Sequence, residues 1–175
     1  LVHTANDYGY NAQLLKAAIT TNQAQKLVAL EKLQQVLKIL KGKTIGLLGL
    51  TFKPNTDDLR DAPALELIEQ LTRLGARVKA YDPVISVNST HPGLQSVQIV
   101  ESPEQLAVGC DALVLVTDWQ MFKTLDYQRL GELMEMPIVI DGRNCLDATQ
   151  LANADFYYIG IGRQSVGNLN APNQR

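Results

Sequence analysis

The sequence is poor in the residues that bind metals and staple small folds. Only Cys110 and Cys145 occur among its 175 residues, too few and too isolated for a disulfide framework or a thiolate metal site. His3 and His91 have no second ligand at helical or hairpin spacing, so both read as surface or structural side chains. An excess of one charge is also missing. The 16 Lys and Arg are spread among 18 Asp and Glu, and without a basic stripe no nucleic acid is expected as a partner. No apolar run approaches the roughly 18 to 20 residues of a membrane span, and the first residues lack a basic segment leading into an apolar core. A cytoplasmic chain with no membrane association is the expectation.

What is present suffices for a core. With 46% hydrophobic and 19% charged residues, the chain supports one globular domain plus an extra helix or tail. It opens on Leu1 and runs almost at once into helix-like sequence, which reads as a fragment of a longer chain. Residues 164–175, "QSVGNLNAPNQR", are polar and aperiodic and read as a flexible tail.

Between these ends the pattern changes once. In the first part, residues 1–42, the run from Asn11 to Gly42 has Leu14, Ala18, Leu27, Leu30, Leu33, Leu37 and Leu40 recurring at helical spacings, with Gly42 as a stop. The spacing predicts a long amphipathic helix broken near Thr20 and Thr21. At about 30 residues it would be ~45 Å long and outreach a small domain. A dimer or inter-domain spine is expected, the alternative being a helix folded back on its own domain. Residues 43–163 instead alternate short apolar runs ("TIGLLGL", "RVKAYDP", "ALVLVTD", "PIVIDGRN", "FYYIGIG") with helical segments. Nearly continuous apolar strands belong to parallel sheets covered on both faces. The expected fold is α/β, a doubly wound, mostly parallel Rossmann-like sheet preceded by a long α-helix, with ligand loops gathered at the carboxyl ends of the strands.

The loop after the first strand is unusual. A dinucleotide turn would carry G-x-G-x-x-G, but here Gly46 and Gly49 lie within or at the end of the strand and the following loop has no glycine. Instead it holds Lys53, Asp57, Asp58, Arg60 and Asp61. Lys53 as a mobile point charge and Arg60 as a planar fork, oriented by Asp57 and Asp58, suit a ligand with distributed charge such as a diphosphate sugar. A solvated loop whose charges pair locally and cap the helix near Ala62 explains the composition equally well.

The segment "GLTFKPNTDDLRDAPAL", Gly49 to Leu65, closely resembles the start of the C-terminal domain in the UDP-glucose and GDP-mannose dehydrogenase family. "YDP" at Tyr81 to Pro83 and "DGRN" at Asp141 to Asn144 resemble later signatures of that family, and "DYGYNAQLLKAAITTNQAQK" resembles the end of its central helical domain. The resemblance runs from about Asp7 to Arg163. It implies an NAD-dependent oxidation of a nucleotide sugar at C6, alcohol to carboxylate with two NAD reduced, on a cysteine nucleophile. That cysteine, and the N-terminal domain that mainly binds NAD, would belong to segments absent here, so no catalytic residue is assigned and no activity is expected of this stretch alone. By the same resemblance Phe52, Lys53 and Arg143 would contact the nucleotide sugar, and Arg60 would reach the cofactor. UDP-glucose is the expected substrate, in a homodimer built through the long helix. A dehydrogenase for GDP-mannose or UDP-N-acetylmannosamine, or a non-catalytic nucleotide-binding or oligomerisation module, stays open. Asp82 reads as a turn former before Pro83, Trp119 as packing and Cys110 as structural, while Cys145, just after Arg143, is nearer the site but matches no catalytic motif.

Overall fold

The computed structural model describes residues 2–169. The His3 side chain, Leu1, and the part of the expected tail from 170 to 175 lie outside the described residues. Strands β1 (Thr44–Leu48), β4 (Ala112–Leu115) and β5 (Ile138–Asp141) are buried at every position. Strand β2 (Arg77–Tyr81) alternates in burial, and β3 (Val97–Ile99) and β6 (Tyr157–Gly160) complete one six-stranded sheet. The order is β3-β2-β1-β4-β5-β6 and all the strand pairs are parallel. Strand order therefore reverses between β1 and β4, the place where doubly wound sheets open a crevice at their carboxyl ends.

One face of the sheet is covered by helices α2 (Gln13–Leu37) and α3 (Pro63–Arg73), which bury Leu30, Leu33, Leu67, Ile68 and Leu71. Helices α4 (Pro103–Ala107), α5 (Tyr127–Leu133) and α6 (Ala148–Asn153) cover the other, with Leu106, Leu130, Leu151 and Phe156 in the second core cluster. There Tyr127 and Phe156 stack edge to face, ring centroids 5.7 Å apart.

Three expectations need correction. The long helix does not break at Thr20, whose hydroxyl donates to the Lys16 carbonyl at 3.0 Å and so stays within the helical ladder. The interruption falls at residues 8–12, between α1 (Val2–Asp7) and α2, where Gly9 takes φ +72°. Nor does Gly42 stop the helix, since α2 ends at Leu37 with Lys38 at φ 62°. Finally, the residues from 164 do not start a free tail. Val166 forms an antiparallel bridge with Tyr158, exchanging hydrogen bonds of 2.8 and 3.0 Å. Gly167 follows at φ +99°, where a Cβ would lie 2.3 Å from the Phe156 carbonyl oxygen.

Within α2 the two halves differ. Residues 13–25 are exposed, Leu14 to 84%. From Lys26 onward the helix packs on α3 and the sheet.

Candidate functional site

The loop following β1 begins at a close approach of three segments. Gly49 sits at φ +91°, and a Cβ there would meet Thr117 at 2.5 Å, so only glycine lets the chain pass. The Thr117 hydroxyl then donates to the Thr51 carbonyl at 2.6 Å. Beneath this junction lies Asp82, 3% exposed, just after β2. Its Oδ2 accepts from the backbone N–H of Leu50 (2.7 Å) and Thr51 (3.3 Å), the Thr51 hydroxyl (3.4 Å) and the Trp119 indole N–H (3.3 Å). Its Oδ1 accepts from Val84 N–H at 3.0 Å. Asp82 is thus a turn former, as its sequence position suggests, and also the anchor of the β1 loop. Trp119 is packed and buried.

From that anchor Phe52 and Lys53 emerge into solvent, Phe52 48% exposed with its N–H bonded to the Asp58 carbonyl at 2.9 Å. Asp58 holds Arg60 by a two-pronged pair, Nε to Oδ1 at 2.9 Å and Nη2 to Oδ2 at 2.7 Å. Those charge-assisted bonds pull the Asp58 carboxyl down to about 2. Arg60 stays 89% exposed and faces an open hollow shared with Thr56, Asp57 and His91. His91 itself caps the short 3₁₀ turn Pro92–Leu94, its Nδ1 accepting from Gly93 N–H at 3.1 Å.

The loop after β5 has its own anchor. Asp141 is fully buried; Oδ1 accepts from Arg143 N–H at 3.0 Å, and Oδ2 from Leu146 N–H at 2.8 Å and the Tyr158 hydroxyl at 3.2 Å. Burial and the adjacent Asp141 charge push the Tyr158 phenol up to about 12. Asn144, at φ 54°, clips the loop to Ile161 through both its amide atoms, each at 2.9 Å. This geometry sends Arg143 toward the β1 loop, where Nη2 reaches the Phe52 carbonyl at 3.4 Å and Nε lies 3.8 Å from Asp118 Oδ1. Both contacts are long, leaving the guanidinium with donor capacity to spare. Arg143 also lines a cleft of about 140 Å³ between α2, α3 and the ends of β4 and β5.

Of the residues singled out by the sequence, Phe52, Lys53 and Arg143 therefore lie on one edge, whereas Arg60 faces a separate hollow. Thr51, Thr117, Asp118 and Asp141 organise that edge without having been assigned a role. The signal for Thr117, Asp118 and Asp141 was present in the strand-end runs "VTD" and "DGRN", and that for Thr51 in "GLTFKP", but a tie between distant loops has no period to read. Neither cysteine is a ready nucleophile. Burial, first, raises Cys145 to about 11 with Asp141 adding to the effect, and Cys110 is raised to about 11 in the core. The β1 turn also does not fit a dinucleotide. The Leu50 and Thr51 N–H groups that a pyrophosphate would need are taken by Asp82.

A doubly wound nucleotide-binding fold, its β1 turn occupied by the chain's own carboxylate and two cationic loops at the strand ends, is the class defined by these features. The chain belongs to the UDP-glucose/GDP-mannose dehydrogenase family, whose UDP binding domain matches residues 46–148. It is 40% identical over 177 aligned positions to a UDP-glucose 6-dehydrogenase of Pseudomonas aeruginosa, covering 98% of this chain and 39% of that protein. A Bacillus subtilis UDP-glucose 6-dehydrogenase, YwqF, is 38% identical, with coverages of 95% and 38%. Among solved structures, a UDP-glucose dehydrogenase from Pyrobaculum islandicum superposes with a TM-score of 0.75 at 29% identity, covering 91% of this chain and 34% of that one. A UDP-D-ManNAc dehydrogenase from Pyrococcus horikoshii gives the same TM-score of 0.75 at 28% identity, with coverages of 91% and 36%. The chain thus spans well under half the length of these relatives.

Proposed function

We propose that this chain is the C-terminal part of an NAD-dependent UDP-glucose 6-dehydrogenase, binding the nucleotide sugar and closing one side of the active-site cleft. The observation that carries this reading is the meeting of the two cationic loops, Arg143 against the Phe52 carbonyl, at the carboxyl ends of the strands. Lys53 and Arg143 would take the negative charge of the diphosphate sugar, and Phe52 would offer an apolar face beside them. Arg60, held ready by Asp58, would reach toward cofactor bound by another domain. NAD, when bound there, supplies the electron acceptor. Oxidation also needs a nucleophile, and the two cysteines described above are held as thiols, so the 175 residues alone are expected to be inactive. Homodimerisation through α2 and a cytoplasmic location complete the proposal; no helix among the described residues is long and apolar enough to cross a membrane.

The likeness to a UDP-D-ManNAc dehydrogenase, equal in TM-score to the UDP-glucose enzyme, supports a second reading in which another nucleotide sugar is the substrate. Calorimetric titration with UDP-glucose, UDP-N-acetylmannosamine, GDP-mannose and NAD separates them. Selective UDP-glucose binding, weakened by both Lys53→Ala and Arg143→Ala, is expected. Preference for another sugar nucleotide would transfer the assignment to that sugar, and binding indifferent to both substitutions would remove the site.

A further inference from the structure

The cleft lined by Arg143 contains a second cation that the family resemblance does not assign. Lys26, on α2, is half-buried at the point where the helix meets the domain. Among the described residues it has no hydrogen bond or ion pair. An ammonium without a counter-ion gains a charge-assisted partner when an anion enters beside it. The remaining lining reinforces this. None of the residues around the cleft is acidic; Asn22 and Gln25 offer carboxamide donors, and Pro63 and Leu67 form an apolar wall. Arg143 enters the same space with its long contacts to Phe52 and Asp118 leaving donors free.

Size limits the occupant. About 140 Å³ accommodates one phosphoryl group or one ring, as comparison with a benzene-sized cavity of roughly 150 Å³ indicates. A whole nucleotide sugar does not fit, so the cleft is a subsite. Two cations and two amides favour the dianionic part of such a ligand over its sugar.

We propose that Lys26 is a further ligand-binding residue, forming with Arg143 a two-cation cradle for a phosphoryl group of the nucleotide diphosphate. This rests on the reading of Arg143 as a nucleotide-sugar residue and extends the site from the α/β domain onto helix α2. Substrate binding would then draw the helix and the domain together.

The test is a titration of the 175-residue chain with UDP, uridine and inorganic pyrophosphate, on wild type, Lys26→Gln, Lys26→Arg and Arg143→Gln. Lys26→Gln is expected to weaken UDP and pyrophosphate about tenfold, the scale of one lost charge-assisted hydrogen bond, and to leave uridine unchanged. Its UDP binding should also depend less steeply on salt, while Lys26→Arg should stay within about twofold of wild type. The half-exposed position predicts a melting temperature unaltered in both Lys26 variants, so a lost fold does not mimic lost binding. Wild-type affinity in Lys26→Gln together with loss in Arg143→Gln overturns the cradle and leaves the Arg143 site standing. UDP binding that neither variant alters, or no UDP binding by wild type, overturns both.

Discussion

The loop after β1 and the loop after β5 are each tied to a buried aspartate, but the ties differ in reach. Asp82 collects donors from three separate segments: Leu50 and Thr51 beyond β1, Val84 in its own turn, and Trp119 beyond β4. Asp141 serves its own loop through Arg143 and Leu146 and reaches outward only to Tyr158. One carboxylate therefore joins three elements, while the other shapes a turn and braces it on β6. The difference explains why the β1 loop can be long and charged yet start from a fixed point, whereas the short β5 loop delivers a single arginine.

Removing the anchors should expose this asymmetry most strongly. Asp82→Ala is expected to lose about 4 kcal/mol in urea unfolding and Asp141→Ala about 3 kcal/mol, because more buried donors are stranded in the first. An equal or reversed ranking would refute the contrast in reach. The glycines at the two loops come next. Gly49→Ala adds a left-handed φ to a backbone and side-chain clash at Thr117, whereas Gly142→Ala meets only the Leu115 carbonyl oxygen at 2.7 Å. About 3 kcal/mol against about 2 kcal/mol is expected, measurable by the same unfolding curves. Tyr158→Phe, which takes one of three donors from Asp141, should cost about 1 kcal/mol.

The smallest effect belongs to the Asp58 and Arg60 pair, which lies in solvent away from both anchors. Its folded carboxyl is depressed, so its contribution is present above the ordinary value of 3.8 and is lost as pH falls toward about 2. Carbon-13 titration of the Asp58 carboxyl should show a midpoint near 2 in wild type and a higher one, still below 3.8, in Arg60→Gln, which loses the guanidinium but keeps the backbone N–H bond from residue 60. A wild-type midpoint already near 3.8 would mean that the pair does not persist in solution. Stability near neutral pH, where the pair's contribution is present, should fall only slightly with that exchange because the pair is exposed to solvent.

Much of the architecture was legible because the central strands bury both faces and so spell continuous apolar runs. The β3 segment escaped notice: three residues with Gln98 in the middle carry too little pattern. The unbroken course past Thr20 escaped because threonine discourages helix only weakly and can bond back into it, while the left-handed turn at Gly9 lies ahead of the run from Asn11 whose period carries the signal. At the site, Phe52 and Arg143 were legible as candidates through motif resemblance. That they touch across 91 positions of sequence, and that Arg60 does not join them, follows only from how the strand ends converge. Lys26 was quoted within a motif but read merely as helix, since an amphipathic period says which face packs and nothing about which cation is left unpaired.

The bridge between Val166 and Tyr158 has a consequence for assembly. An outer strand normally leaves a row of unpaired backbone groups that another chain can extend. Here the β6 margin is partly occupied by the chain's own return, pinned by a glycine that leaves no room for a side chain, and the opposite margin is a strand of only three residues. Neither border offers a long template for a seventh strand from outside. Strand addition is thereby disfavoured at both margins, and the same features that trim the sheet also guard it against aggregation.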